Sequence, residues 1–277
     1  MKLDSSLIRP YEDFAHLDNG AHRHFSVEGP KSRLLFFGCR HVWDLEDPMF
    51  SEIVALADTT KPDLFLVEGL QGLRRDAPVL QRQKWLKDIS SLPLKEAVHS
   101  FGERGFVINY AIERNIPVEC PEPKFREEVQ HIIQQGFSRD GIVGYYVYRM
   151  VHQWLNSRNV PSIADYLAPT INELKALTEW ADYDWSFAKI AALSEKFWKA
   201  PLKLDDARFY SKGVSPFTAR KCADAIETNE VCAASGLFRD QAIAEAILSA
   251  RNWARSIFVV FGSGHSYTLE DALKASF

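Results

Sequence analysis

Three short apolar runs interrupt an otherwise mixed chain: Leu34–Phe37 before Gly38, Leu64–Val67 before Glu68-Gly69, and Ile257–Phe261 before Gly262. Each is too short and too uniformly apolar for a surface helix, and reads as a strand buried on both faces. Between the first two, Asp47-Pro48 starts a helix, because Asp caps and proline suits the first helical position. Phe50, Ile53, Val54 and Ala57 follow at helical spacing, and Pro62 precedes the next strand. Strand–helix–strand is the unit of a parallel sheet. A helix over about Lys95 to Asn115, weakened by Gly102 and Gly105, leads to a short strand at Ile116–Glu119. Pro117 removes a ladder donor there and places that strand near an edge.

From about residue 125 to 235 no buried strand is visible. Ile142, Val143, Tyr146, Met150 and Trp154, and later Phe187, Ile190, Leu193 and Phe197, are helically spaced instead. The aromatics among them read as core. A helix from about Leu237 to Trp253 precedes the last strand, and a short one starts at Leu269. Residues 1–30 are polar and irregular and read as a solvated arm, with order beginning at Arg33. The expected fold is therefore α/β: one domain over 31–277 with a central, mostly parallel sheet flanked by helices and a long helical insertion at about 125–235.

Composition narrows the partners. With 277 residues the chain can bury one large core, or a core domain plus a subdomain. A net charge of -4 without a basic stripe gives nucleic acid no electrostatic footprint. No apolar run is long enough to span a bilayer, and the first ten residues lack the apolar region of a secretory signal. Cys39, Cys120, Cys222 and Cys232 lack C-x-x-C spacing, which argues against a zinc finger or disulfide framework. Reduced thiols and a cytoplasmic location are expected, with Cys39 a small filler. His16, His22 and His24 lie close together and could take up adventitious metal, but read as part of the arm.

The chemistry concentrates at strand ends. Gly38-Cys39-Arg40-His41 and Gly262-Ser263-Gly264-His265 place a glycine and then a histidine past an apolar strand, and Glu68 follows the third strand. Ligands of open α/β sheets bind at that edge. One such segment alone is an ordinary strand exit with a hydrogen-bonded histidine; two of them with a glutamate point to a shared pocket. Two imidazoles and a carboxylate with an open position make a competent metal site, and zinc, manganese and iron suit the residue types alike. Histidine is equally suited to proton transfer. Arg239 shares a helical stripe with Ile243, Ala246 and Ala250, so it needs an anionic or carbonyl partner. It could clamp a substrate carboxylate or bridge to Glu68 or Glu103. Glu103 opens a helical pattern and either points inward or is a first-turn acid favoured by the helix dipole. Gly262-Ser263-Gly264 could cradle a phosphate but lacks the full P-loop pattern, and Ser263 comes one residue early for a nucleophile elbow. His99 and His152 carry no spacing argument.

The ordered set resembles the TraB/Tiki family, also called the PrgY or GumN group. It comprises Gly38-Cys39-Arg40-His41, Lys61-Pro62-Asp63 leading to Val67-Glu68, the Glu103 helix ending in Asn115-Ile116-Pro117-Val118, Arg239-Asp240, and Gly262-Ser263-Gly264-His265. It runs from about Leu34 to Leu273. Cys39-Arg40 replaces the commoner small or threonine-alanine pair, and Gly69-Leu70 a leucine-aspartate pair. The resemblance implies a fold like that of erythromycin-esterase and ChaN-type proteins, and a metal-dependent peptidase or related hydrolase. His41, Glu68 and His265 would then hold a divalent ion (manganese, cobalt or zinc) or activate water. Glu103 would orient a histidine or act as base, and Arg239 would stabilise an oxyanion or grip a carboxylate. Gly38, Arg40, Gly262, Ser263 and Gly264 are the substrate-binding candidates. The expected partners are a peptide or small-molecule substrate and a second copy in a homodimer, with no nucleic acid and no membrane span. The competing expectations are a non-catalytic protein holding a peptide, haem or metal in the same pocket, and a structural module whose histidines satisfy the core.

Overall fold

The computed structural model describes residues 3–14, 16–17, 21–156, 162–202, 212–218 and 225–277. In chain order its elements are β1 (Arg23–Glu28), β2 (Arg33–Cys39), α1 (Pro48–Thr60), β3 (Leu64–Val67), α2 (Val79–Ser90), α3 (Leu94–Phe101), α4 (Glu103–Glu113) and β4 (Val118–Glu119). There follow α5 (Phe125–Gln134), α6 (Arg139–Asn156), α7 (Ile163–Thr178), α8 (Phe187–Trp198), α9 (Glu227–Ala250), β5 (Ser256–Gly262) and α10 (Ser263–Ser276). The chain forms two compact units. One comprises Met1–Arg9, His16–Pro123 and Arg239–Phe277; the other comprises Pro10–Ala15 and Lys124–Phe238.

The first unit is built on a five-stranded sheet of order β1-β2-β5-β3-β4. β2, β5, β3 and β4 are parallel, and β1 joins β2 antiparallel with Phe25 opposite Phe36. β4 lies at the edge, where Pro117 costs no ladder bond. Both faces are covered, which is why the central strands read as continuous apolar runs. Leu35, Phe37, Phe65, Val67, Phe258 and Val260 pack with Ile53 of α1 and Val107 and Ile108 of α4. The alternate residues Leu34, Phe36, Leu64, Leu66, Ile257, Val259 and Phe261 pack with Ile243 and Ile247 of α9 and Leu269 and Leu273 of α10. At the start of α1, the Asp47 carboxylate accepts the Met49 N–H at 3.0 Å, the expected cap.

Three expectations change. Residues 23–28 are not part of an irregular arm but the strand β1, whose alternation (Phe25 and Val27 between polar neighbours) is too brief to stand out. The helix expected over 95–115 is two helices, because Gly102 takes φ +61° between them. α10 begins at Ser263, directly after β5, rather than at Leu269.

The second unit is helical in its described residues. Val143, Val147, Tyr148, Ile190 and Leu193 form one apolar cluster; Val129, Ile142, Tyr146, Leu174 and Val231 form another. Tyr145, Tyr146 and Tyr148 are buried core residues. Cys39, Cys120 and Cys232 are buried, whereas Cys222 and the His152 side chain lie outside the described residues. No described helix is long and apolar enough to cross a membrane.

Candidate functional site at the carboxyl edge of the sheet

Parallel pairing aligns the strand ends. Cys39 of β2 is opposite Gly262 of β5, and Val67 of β3 is opposite Val260. His41 therefore follows one central strand by two residues, and Glu68 follows another directly. The two histidine segments are not a matched pair of loops. His41 lies on irregular chain after β2, whereas His265 is the third residue of α10, whose N-cap is Gly262.

Each histidine is held through Nδ1 by a buried carboxylate. His41 Nδ1 lies 2.9 Å from Glu103 Oε1, and Glu103 is 1% exposed at the first position of α4. Its inward aim and its first-turn place by the helix dipole coexist. His265 Nδ1 is bonded to Asp240 Oδ1, and Thr268, one helical turn on, donates its hydroxyl to Asp240 Oδ2 at 2.7 Å. Asp240 is fully buried. With Nδ1 occupied, each ring turns Nε2 to the site; His265 Nε2 stands 3.6 Å from Glu68 Oε1.

Glu68 is the hub. Its Oε2 accepts the Gly262 N–H at 2.7 Å and its Oε1 lies 3.2 Å from Arg239 Nη2. Arg239 also pairs with Glu122 through Nη2 and Nε, and Glu122 Oε2 accepts the Gly69 N–H at 2.8 Å. Arg239 is thus a bridge, as one of its two expectations had it, but its second carboxylate is Glu122 and not Glu103.

Burial and charge set the protonation states. Burial disfavours the charged form of His265, but the Asp240 and Glu68 carboxylates outweigh it and raise its pKa to about 9. Burial likewise opposes ionisation of Glu68, yet His265, His41 and Arg239 hold it well below the ordinary glutamate range. For His41, burial works against the cation while Glu103 and Glu68 favour it, with a net upward shift. The His41 side chain is half exposed, whereas His265 is 8% exposed, so only His41 presents its ring to an incoming molecule.

Gly262 leaves the space between these groups open. Its φ of -53° suits any residue, so backbone freedom is not what selects glycine there. A Cβ would lie 3.2 Å from Glu68 Oε2 and 3.5 Å from His41 Nε2. Gly38 is equally a matter of close approach, since its Cβ would fall 2.5 Å from Ser266 Oγ. Gly262→Ala is expected to leave the thermal midpoint nearly unchanged and to cut turnover about 10- to 100-fold by displacing His41 or Glu68. Parallel melting and rate measurements check this, and unaltered turnover would remove the gap from the site.

Cys39, His41 and Glu103 bring one ligand atom each within 4.8 Å of one another, a set that could hold a metal ion. The expected triad His41, Glu68 and His265 is poorer. Glu68 already has a guanidinium on one oxygen and a backbone N–H on the other, and His265 favours its cation, which cannot ligate. Cys39 donates its thiol to the Phe261 carbonyl at 3.1 Å, and burial, with the Glu103 and Glu68 carboxylates, pushes its pKa well up.

Of the remaining candidates, Arg40 turns away to pair with Asp47, and Ser263 and Gly264 lie in the first turn of α10 instead of a phosphate-cradling loop. Sequence reasoning missed Glu122 and Thr268, and named Asp240 only within the Arg239-Asp240 motif, without a role of its own. Glu122 had a local signal, a carboxylate clamped between Pro121 and Pro123 just past a strand. Asp240 had none beyond its adjacency to Arg239. Set against protein-family models, curated proteins and solved structures, the chain matches none of them.

Proposed function

We propose that the protein is a hydrolase of the kind the TraB/Tiki resemblance implies, cleaving an ester, amide or peptide bond with His41 as general base. The observation that carries this reading is the pair of carboxylate-anchored imidazoles facing one ionised glutamate across the Gly262 gap. Glu103 takes the Nδ1 proton of His41 as a hydrogen bond, which leaves the Nε2 lone pair free to accept a proton from water. The hydroxide equivalent adds to the carbonyl carbon. The His41 cation then returns its proton to the departing oxygen or nitrogen, so that proton transfer balances. Glu68, ionised across the gap, orients the water and offsets the imidazolium. His265, Asp240, Thr268, Arg239 and Glu122 hold Glu68 in place.

A metal-assisted version is favoured by one observation, the convergence of Cys39, His41 and Glu103. Sulfur, nitrogen and oxygen donors suit zinc or cobalt better than manganese, and such an ion supplies a water acidified towards neutrality. The test is a panel of activated esters, amides and dipeptides assayed with and without a chelator. Hydrolysis that survives chelation and disappears in His41→Ala supports the acid–base reading. Loss on chelation with recovery on added zinc or cobalt transfers the reaction to the metal. Tight binding without product from any member of the panel would overturn catalysis in favour of a binding protein.

A further inference from the structure

A cavity of about 240 Å³ opens beside the edge strand β4, and none of the residues placed in the hydrolytic site lines it. The strand register accounts for it. Glu119 of β4 is aligned with Leu66 of β3 and so shares its face, the one that packs against α9. Ala246 and Ala250, one helical turn apart on α9, are too small to fill the space beside Glu119, and Trp253 just beyond the helix adds an aromatic wall. The charges facing this space are poorly matched within the protein. Arg74 is held by both oxygens of Asp76, at 2.9 and 3.3 Å. Arg75 makes no hydrogen bond or ion pair among the described residues, and its guanidinium lies over the Trp253 ring, 4.1 Å from the centroid. Glu119, its side chain 15% exposed, accepts no hydrogen bond among the described residues, and its ion pair with Arg82 spans 3.9 Å. Burial holds its carboxyl above the ordinary glutamate range against the pull of Arg75 and Arg82.

We propose that this cavity binds a small apolar α-amino acid, independently of the hydrolytic reading. A guanidinium stacked face-on keeps its edge N–H groups for a planar anion, so Arg75 takes the ligand carboxylate as a fork. Glu119, an acceptor short of donors, takes the ammonium, whose charge offsets the burial that opposes ionisation of its carboxyl. Leu66, Ala246, Ala250 and the Trp253 ring supply the apolar surface for the side chain. Each charge of the zwitterion thus meets its opposite, and neither Arg75 nor Glu119 stays underpaired. A phosphate dianion fits less well, because its second charge would face Glu119. Size points the same way, since drug-sized ligands fill cavities of roughly 300–1,000 Å³ and this one is smaller.

Titration calorimetry on the full chain tests the site with L-phenylalanine and L-leucine, and with 3-phenylpropionate and phenethylamine as ligands that each lack one charge. The expected result is equal binding of the amino acids by wild type and His41→Ala. Arg75→Gln and Glu119→Gln should each weaken it about tenfold or more, as should removal of either ligand charge. Ala246→Leu, which fills the cavity, should abolish it. Arg75 is exposed, so its substitution leaves folding intact and keeps the test decisive if Glu119→Gln does not fold. No binding of either amino acid by wild type, undiminished binding by Arg75→Gln, loss of binding in His41→Ala, or equal binding of 3-phenylpropionate would each overturn the proposal.

Discussion

His41→Ala is expected to lower turnover about 10²- to 10⁴-fold, the range a positioned general base contributes, while leaving the thermal midpoint within a degree or two of wild type. The separation of the two effects is the point. His41 is half exposed and its one strong partner, Glu103, lies at a helix start whose dipole still favours a carboxylate. Its removal strips the site of a base and leaves one buried carboxylate, Glu103, which keeps the favourable helix start, where His265→Ala leaves two. His265→Ala is a poorer probe, because it strands Asp240 and Glu68 in the interior and confounds lost chemistry with lost stability. Steady-state kinetics beside melting curves distinguish the cases, and full activity in His41→Ala would sink the proposed mechanism.

The second large effect is on stability. Asp240→Asn is expected to destabilise the protein by about 3–5 kcal/mol, the usual cost of breaking a buried ion pair from one side. Asp240 is fully buried and serves both His265 and Thr268. The pH dependence carries the same signature. His265 has a pKa of about 9 in the folded chain against an ordinary value of 6.5. Its contribution, about 3 kcal/mol by linkage, is fully present below pH 6.5 and is lost as pH rises through 9. The wild-type thermal midpoint should therefore fall between pH 6.5 and 9.5, and most of that slope should vanish in Asp240→Asn. Identical slopes in the two proteins would show that the pair does not carry it.

Central features of the fold and site were legible because they follow from short-range rules. Uniformly apolar runs ending in Gly38, Glu68-Gly69 and Gly262 mark strands buried on both faces, and strand ends in such sheets carry ligand-binding groups. Arg239 on an apolar stripe needed an anionic or carbonyl partner, and Glu68, one of the two carboxylates named for it, is one. That Glu122 and not Glu103 is the other was not legible, because only the order of β3, β4 and the helices fixes who is near. Asp240 stayed hidden for a related reason: one turn of helix cannot tell a solvated aspartate from a buried one. The role of Gly262 was not legible, because sequence shows a glycine but not whether its φ or its missing Cβ matters. β1 was missed because two apolar residues are too few to establish alternation.

The position of β5 bears on how the chain reaches this state. It lies between β2 and β3, yet its first residue follows its partner Arg33 by 223 positions. On a ribosome, β2 and β3 emerge early and wait without the strand that joins them, each presenting an unpaired apolar edge. Until Ser256–Gly262 arrives, no productive sheet can close, and those edges are open to pairing with other chains. Folding is thus late, dominated by distant pairings and slow, and a truncation just before Ser256 would yield an aggregating product instead of a smaller domain.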